Sequence, residues 1–150
     1  MYLYLVQHGL ALPEEKDPQR PLSPEGKEAV KKIAQFLKSR NIQVDQIWHS
    51  RKLRAVQTAE IIAEAISCPK IIARDDLNPN SSVTKFSHEL NTSNNNLMLI
   101  GHLPFLQKLS SMLLSGSDTN DFIAFKFAGV VAFEEQERWK ISWFILPELL

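Results

Sequence analysis

The sequence predicts an α/β fold, a three-layer α/β/α sandwich with a mostly parallel central sheet and a C-terminal β-meander. Three observations lead to this fold class. Short apolar runs alternate with amphipathic segments of helical period from Met1 to about Leu114. These runs are apolar on both faces, which is typical of parallel strands that helices cover on each side. The last third changes to strand patterns joined by short turns.

Each element of the alternating part has its own pattern. The predicted strands are the apolar runs 2–6, 44–50, 70–74 and 97–101. The predicted helices are 24–41, 52–66, 81–90 and 104–114. Ser23 is a typical N-cap and Pro24 suits the first helical position. Three further strands, 122–127, 130–135 and 139–145, form the predicted meander. With no repeat and no dividing linker, we expect one domain over residues 1–150.

The composition limits the classes of function. The chain carries 17 basic and 17 acidic residues, so no global field attracts nucleic acid or an anionic membrane. Cys68 is the single cysteine, which excludes an internal disulfide and a cysteine-built metal site. No apolar stretch reaches the roughly 18–20 residues that span a bilayer, and no basic region precedes the first strand. We therefore expect a cytoplasmic protein with no nucleic-acid or membrane partner.

Nitrogen-rich side chains follow three of the predicted parallel strands. Gln7, His8 and Gly9 follow the first strand, residues 49–51 (His-Ser-Arg) follow the second, and residues 101–102 (Gly-His) follow the strand 97–101. Sites in open α/β sheets form beyond the carboxyl ends of the strands. We therefore expect these side chains to meet at one edge of the sheet.

The residue types at this edge suit an anion. Gly9 lets the backbone turn sharply and approach a ligand, and Gly101 opens space beside His102. Helix N-termini after residues 50 and 103 present free N–H groups and a positive dipole end. Arg54 adds a planar fork that matches a phosphate. The pattern therefore predicts a pocket for a phosphoryl group.

Four motifs occur in order along most of the chain: QHG at 7–9, PLSPEG at 21–26, SRKLRAVQTAE at 50–60 and IGHLP at 100–104. Together they resemble the histidine phosphatase superfamily (phosphoglycerate mutase-like), and within it the small SixA-type phosphohistidine phosphatases. The resemblance implies that His8 is the nucleophile and carries a transient phosphoryl group. It also implies that Arg54 clamps the phosphoryl oxygens and that His102 donates a hydrogen bond to them. No metal and no cofactor are implied.

The general acid is less defined by the sequence. Asp76 in RDDLNP aligns with a carboxylate that precedes Leu-x-Pro in relatives, although Asp75 and Asp76 also suit a turn. A phosphohistidine leaving group is an imidazole that leaves already protonated, whereas an alkoxide depends on a positioned acid. A site without a clear acid therefore favours N–P over O–P cleavage.

One residue departs from the family pattern. The family usually has arginine before the nucleophile, and this chain has Gln7, which keeps two N–H donors but no charge. A hydrogen bond to a charged group contributes about 1.5–3 kcal/mol against about 1 for a neutral one. Arg51, where many members have proline, is a candidate for compensating charge. The predicted phosphate-binding set is therefore Gln7, Gly9, Arg51, Arg54 and His102.

The substrate follows from the resemblance and from the short connections. An open site suits a phosphorylated side chain on another protein, so the expected partner is a phosphohistidine-bearing protein of the phosphotransfer or phosphocarrier type. Two alternatives remain at this point. One is a catalytically weakened module in which Gln7 marks retained phosphate recognition without turnover. The other is a zinc hydrolase that uses His8, His49 and His102.

Overall fold

The computed structural model describes residues 1–150 and contains six strands, four α-helices and a short 3-10 turn at Pro147–Leu149. The strands are β1 (Tyr2–Gln7), β2 (Gln46–Ser50), β3 (Ile71–Arg74), β4 (Leu97–Gly101), β5 (Val130–Glu135) and β6 (Trp139–Ile145). The helices are α1 (Pro24–Ser39), α2 (Leu53–Ile66), α3 (Val83–Asn91) and α4 (Phe105–Ser115). No helix combines the length and apolarity needed to cross a membrane.

The six strands form one mixed sheet in the order β3-β2-β4-β1-β5-β6. The pairs β2–β3, β2–β4 and β1–β4 are parallel, and β5 runs antiparallel to both β1 and β6. Residues of α1 and α2 belong to the buried cluster on one face, and residues of α3 and α4 belong to the cluster on the other. The predicted three-layer α/β fold is therefore confirmed.

The C-terminal part differs from the prediction in one element. Residues 122–127 were predicted as a strand and form none, so the expected three-stranded meander is the hairpin β5–β6. The apolar alternation is real, because Ile123 and Phe125 are buried against the same cluster as Phe133. Both edges of β1 and of β5 are already occupied, so this extended segment has no neighbouring strand edge with which to pair.

A close approach between two backbones fixes the start of α1. Ser23 is the N-cap, and its hydroxyl oxygen accepts from the Gly26 N–H at 3.0 Å. The Ser23 N–H donates in turn to the Leu10 carbonyl. A Cβ on Gly26 would lie 2.0 Å from that same carbonyl oxygen, so only glycine fits. The loop after β1 is thereby held against the first turn of α1.

Gly26→Ala is expected to lower the free energy of unfolding by about 2–3 kcal/mol, because the clash is with backbone and cannot be relieved by a rotamer change. Gly9→Ala should cost less, since the nearest atoms, 2.7 and 2.9 Å from the added Cβ, belong to the side chains of Val30 and Leu22 and not to backbone. Gly101→Ala is the control, with its closest contact at 3.7 Å. Urea unfolding of the three variants measures this order. A Gly26→Ala variant no less stable than Gly101→Ala would contradict the close approach.

Candidate active site

The parallel pairing of β1 with β4 brings two histidines to the same edge of the sheet. Gln7 is in register with Gly101, so each strand ends directly before its histidine. The His8 N–H donates to the Gly101 carbonyl at 3.1 Å and extends the ladder by one bond. The ring centroids of His8 and His102 lie 4.9 Å apart, and both side chains are buried.

The hydrogen bonds of His8 define its tautomer. Nδ1 lies 2.7 Å from the carbonyl oxygen of Gly9, which accepts only, so Nδ1 carries the proton. Nε2 then keeps its lone pair and has no hydrogen-bond partner in the structure. This leaves one free nucleophilic nitrogen on a ring whose orientation is fixed by the backbone.

His102 is oriented by the end of β2. Its Nε2 lies 2.6 Å from the hydroxyl oxygen of Ser50, which also accepts from the Lys52 N–H at 3.2 Å. Ser50 is fully buried, and His102 Nε2 is the acceptor within reach of its hydroxyl hydrogen. If Ser50 donates to Nε2, the proton of His102 is on Nδ1. That Nδ1 is buried and has no partner.

The second buried side-chain atom without a partner is Oε1 of Gln7. Both such atoms in the chain therefore belong to residues at the ends of β1 and β4. Buried polar groups are almost always hydrogen-bonded, so unpartnered atoms at the ends of two adjacent strands are consistent with a ligand site at this edge of the sheet. A half-turn of the Gln7 amide exchanges its oxygen and nitrogen and presents N–H donors there instead.

Positive charge surrounds the two histidines without a carboxylate to neutralise it. Arg54 lies in the first turn of α2, whose N-terminus has no capping side chain and no acidic residue. Arg20 and Lys52 add two further cations whose charge acts on the pair. None of these three side chains forms an ion pair. This excess of positive charge favours the binding of an anion.

Burial and these cations keep both histidines neutral. Burial is the largest cause that lowers the pKa of His8 to about 4, against the raising effect of its bond to Gly9, and Arg54 and Arg20 lower it further. Burial likewise lowers the pKa of His102 to about 3, with His8, Arg54, Lys52 and Arg20 adding to the effect. Burial and Arg20 together lower the pKa of Arg54. His8 is therefore neutral near pH 7.

Sequence reasoning missed Arg20. It has a left-handed backbone at φ 50°, and its Nε donates to the Leu12 carbonyl at 3.1 Å. The Leu12 N–H donates to the Pro21 carbonyl, so residues 10–12 and 20–23 run side by side after β1. The periodicity of apolar residues in the sequence cannot predict where a side chain in such an irregular loop lies. The only available signal was the place of Arg20 directly before the PLSPEG motif.

Two residues of α2 fasten this loop to the helix. The Gly9 N–H donates to Oγ1 of Thr58 at 3.0 Å, and that hydroxyl donates to the Arg54 carbonyl at 2.8 Å. The Leu22 N–H donates to Oε1 of Gln57 at 2.7 Å. The Gly9 N–H is therefore engaged within the protein, and Gly9 has no positive φ. Its lack of a side chain serves close packing on α1.

Asp76 and Arg51 have partners of their own. Both carboxylate oxygens of Asp76 accept from Arg74, at 2.9 and 2.7 Å, and Arg74 also binds Glu89. The exposed Arg51 donates to Asp75. Neither Asp76 nor Arg51 forms a hydrogen bond or ion pair with His8, Arg54 or His102. The structure thus brings together His8, His102 and Arg54 and places Gln7 directly before His8 at the end of β1, whereas these two predicted residues lie apart.

The three-histidine zinc site has no geometric support. His49 Nδ1 lies 2.8 Å from the carbonyl oxygen of its own neighbour, Ser50. No group of three histidine, cysteine or carboxylate side chains is placed to hold a metal ion.

A neutral histidine beside unpaired arginines at the carboxyl edge of an α/β sheet is a chemically suitable place for a phosphoryl group. Residues 3–79 match the family described as the histidine phosphatase superfamily (branch 1), and the chain belongs to that superfamily. It is 32% identical over 138 residues to an uncharacterised protein of Picosynechococcus sp., covering 87% of this chain and 83% of that one. The resemblance drawn from the four motifs is confirmed.

Similarity to SixA extends over nearly the whole chain. The phosphohistidine phosphatase SixA of Escherichia coli is 26% identical over 98% of this chain and 94% of its own. A solved structure of the protein histidine phosphatase SixA complexed with tungstate aligns with a TM-score of 0.87 at 24% identity, covering 99% of each chain. The α-ribazole phosphatase of Shigella flexneri shares the fold at 14% identity, with a TM-score of 0.79 over 98% of this chain and 96% of that one.

The two buried histidines predict a specific dependence of stability on pH. Their pKa values are lower in the folded than in the unfolded chain, so the unfolded state binds protons first as the pH falls below about 6.5. Stability is thus lost on acidification, by about 2 kcal/mol per histidine between pH 7 and pH 5. His8→Asn should reduce the difference in the free energy of unfolding between pH 7 and pH 5 by the contribution of His8. Urea unfolding at the two pH values measures this difference.

Thr58→Val is the matched control for this experiment. It destabilises the same region through the lost acceptor of the Gly9 N–H, without changing a titrating group. It should therefore be less stable at both pH values and keep the full difference between them. An unchanged difference in His8→Asn would mean that His8 is not held neutral by its surroundings.

Proposed function

We propose that this protein is a metal-independent phosphatase that removes phosphate from phosphohistidine through a covalent intermediate on His8. The observation that carries the proposal is the free Nε2 lone pair of a neutral His8 beside cations that have no anionic partner. The overall similarity to SixA supports the substrate class. The partner we propose is a phosphohistidine-bearing protein of the phosphotransfer or phosphocarrier type.

In the first half-reaction, the lone pair of His8 Nε2 forms a bond to phosphorus as the substrate's P–N bond breaks. The bonding electron pair leaves with the ring nitrogen of the substrate. That ring already carries a proton on its other nitrogen, so it departs as neutral imidazole. Arg54 and the Nδ1–H of His102 stabilise the phosphoryl oxygens in transit.

In the second half-reaction, water attacks the phosphorus of phospho-His8. The P–N electron pair returns to Nε2, and both hydrogens of the water leave with the product as H₂PO₄⁻. The Gly9 carbonyl holds the Nδ1 proton of His8 throughout and offsets the positive charge that the phosphorylated ring acquires. His8 is then neutral again and ready for the next substrate.

The arrangement of carboxylates supports a nitrogen leaving group. Asp76, proposed from the sequence as general acid, has both oxygens bound to Arg74. No carboxylate contributes to the pKa shifts of His8 or His102. An alkoxide leaving group needs a proton donor in the transition state, whereas an imidazole does not. We therefore propose N–P cleavage as the main activity.

We propose further that Arg20 supplies the charge that Gln7 lacks. Arg20 has no anionic partner, and its charge acts on His8, His102 and Arg54. Arg51, the candidate from sequence, is exposed and paired with Asp75. Gln7 would contribute neutral N–H donors beside the phosphoryl group, and Arg20 the positive charge.

Wild-type protein is expected to release inorganic phosphate from a phosphohistidine-bearing protein with EDTA present, and His8→Ala to release none. Wild-type protein incubated with labelled substrate and quenched in alkaline detergent should carry label that is stable in alkali and lost in acid, which is the behaviour of a phosphohistidine. Asp76→Asn should keep turnover within about threefold. Retained turnover in His8→Ala would refute the mechanism. Binding of phosphohistidine with no turnover would identify the weakened binding module instead.

Arg20→Ala is expected to lower kcat/KM about ten- to hundredfold, the loss of one charged contact to a phosphoryl oxygen. Gln7→Arg should recover most of this loss in the Arg20→Ala background and change the wild type much less. The matched control is Arg51→Ala, which should leave kcat/KM unchanged. Equal effects of Gln7→Arg in both backgrounds would show that Arg20 does not replace the missing arginine.

A further inference from the structure

A half-exposed phenyl ring lies against the nucleophile. The ring centroids of Phe127 and His8 are 5.6 Å apart with an interplanar angle of 43°. Phe127 is 45% exposed and belongs to neither of the buried clusters that fill the two faces of the sheet. His8 is its one aromatic neighbour. Packing of the core therefore does not explain why an aromatic residue occupies this position.

The backbone fixes Phe127 at this place. The next residue, Ala128, has a left-handed backbone at φ 62°, and its N–H donates to the carbonyl oxygens of Gln7 at 2.9 Å and His8 at 3.3 Å. On the other side, Phe125 is anchored in the core with Ile123. Phe127 is thus held between a buried anchor and the end of β1, with part of its ring open to solvent beside His8.

We propose that Phe127 is a specificity-determining residue whose ring stacks on a flat leaving group during phosphoryl transfer to His8. This inference rests on the proposed phosphatase function and refines its substrate class. Two aromatic rings attract each other at centroid distances of about 4.5–7 Å, and the exposed part of Phe127 beside His8 offers such a partner. An imidazole gains this contact, whereas an amine or alkoxide of similar reactivity gains nothing.

The transfer itself is the one written above. His8 Nε2 gains the bond to phosphorus, and the electron pair of the broken P–N bond leaves on the substrate's ring nitrogen. Phe127 takes no part in bond making. It lowers the free energy of the state in which the departing ring lies across the mouth of the site. The expected gain is about three- to tenfold in kcat/KM.

The test compares two phosphoramidates with different leaving groups, phosphohistidine and inorganic phosphoramidate, which releases ammonia. Phe127→Leu keeps an apolar side chain and removes the ring. It should lower kcat/KM for phosphohistidine about three- to tenfold and leave kcat/KM for phosphoramidate unchanged. Phe127→Trp should restore the preference. The control is Phe122→Leu, which removes an even more exposed ring of the same segment and should not alter the ratio.

Each outcome separates the two proposals. An equal loss of kcat/KM for both compounds in Phe127→Leu would mean that the ring only positions His8, and no loss for either compound would mean that it contacts no leaving group. Either result overturns the inference and leaves the phosphatase intact. Absence of His8-dependent turnover of both compounds by the wild type overturns the proposed function, and the role of Phe127 with it.

Discussion

The parallel pairing of β1 with β4 is the constraint on which the site depends. Both strands are buried on both faces, and their side chains alternate between the two apolar clusters. A slip by one residue would move every side chain into the opposite cluster, so the packing of the two clusters fixes the register. That register places Gln7 beside Gly101 and leaves the two following histidines with their rings 4.9 Å apart. The packing of the core thereby determines the relative position of the two histidines.

Burial gives the histidines their reactivity, and the surrounding cations oppose their protonation. A histidine that gained a carboxylate partner would become charged and lose its lone pair; here the neighbours are Arg54, Arg20 and Lys52. Such a group of cations is unfavourable in the empty site and favourable around a phosphoryl dianion. The protein is therefore organised for the bound state at some expense of its own stability, as functional sites commonly are.

The fold and the centre of the site followed from the sequence because both depend on regular structure. Apolar runs that alternate with segments of helical period predicted the parallel strands. Residues that follow the ends of parallel strands lie at the same edge of the sheet, and this rule led to His8, Arg54 and His102. Segment 122–127 was wrongly predicted as a strand because its apolar residues alternate as in a strand. Such alternation does not indicate whether a neighbouring strand has a free edge for pairing. Arg20 and Phe127 act from irregular backbone, next to or at residues of positive φ, which no pattern of period encodes. Asp76 aligned with a carboxylate of relatives, but both of its oxygens bind Arg74. Arg74 is the last residue of β3 and stacks on Trp48, and the local sequence around Asp76 does not reveal this partner.

Because Gln7 stands where the family usually has arginine, the positive charge near His8 does not come from the last residue of β1. A cation at the last position of β1 would be as rigid as the sheet itself. Arg20 instead depends on the loop after β1, through its own bond to the Leu12 carbonyl and the pairing of residues 10–12 with 20–23. That loop is attached to α2 through Gln57 and to α1 through Ser23. The two helices that cover one face of the sheet therefore also hold the loop that carries Arg20. If Arg20 supplies the charge as proposed, a substitution in either helix that loosens the loop should weaken phosphoryl binding without contacting the phosphate.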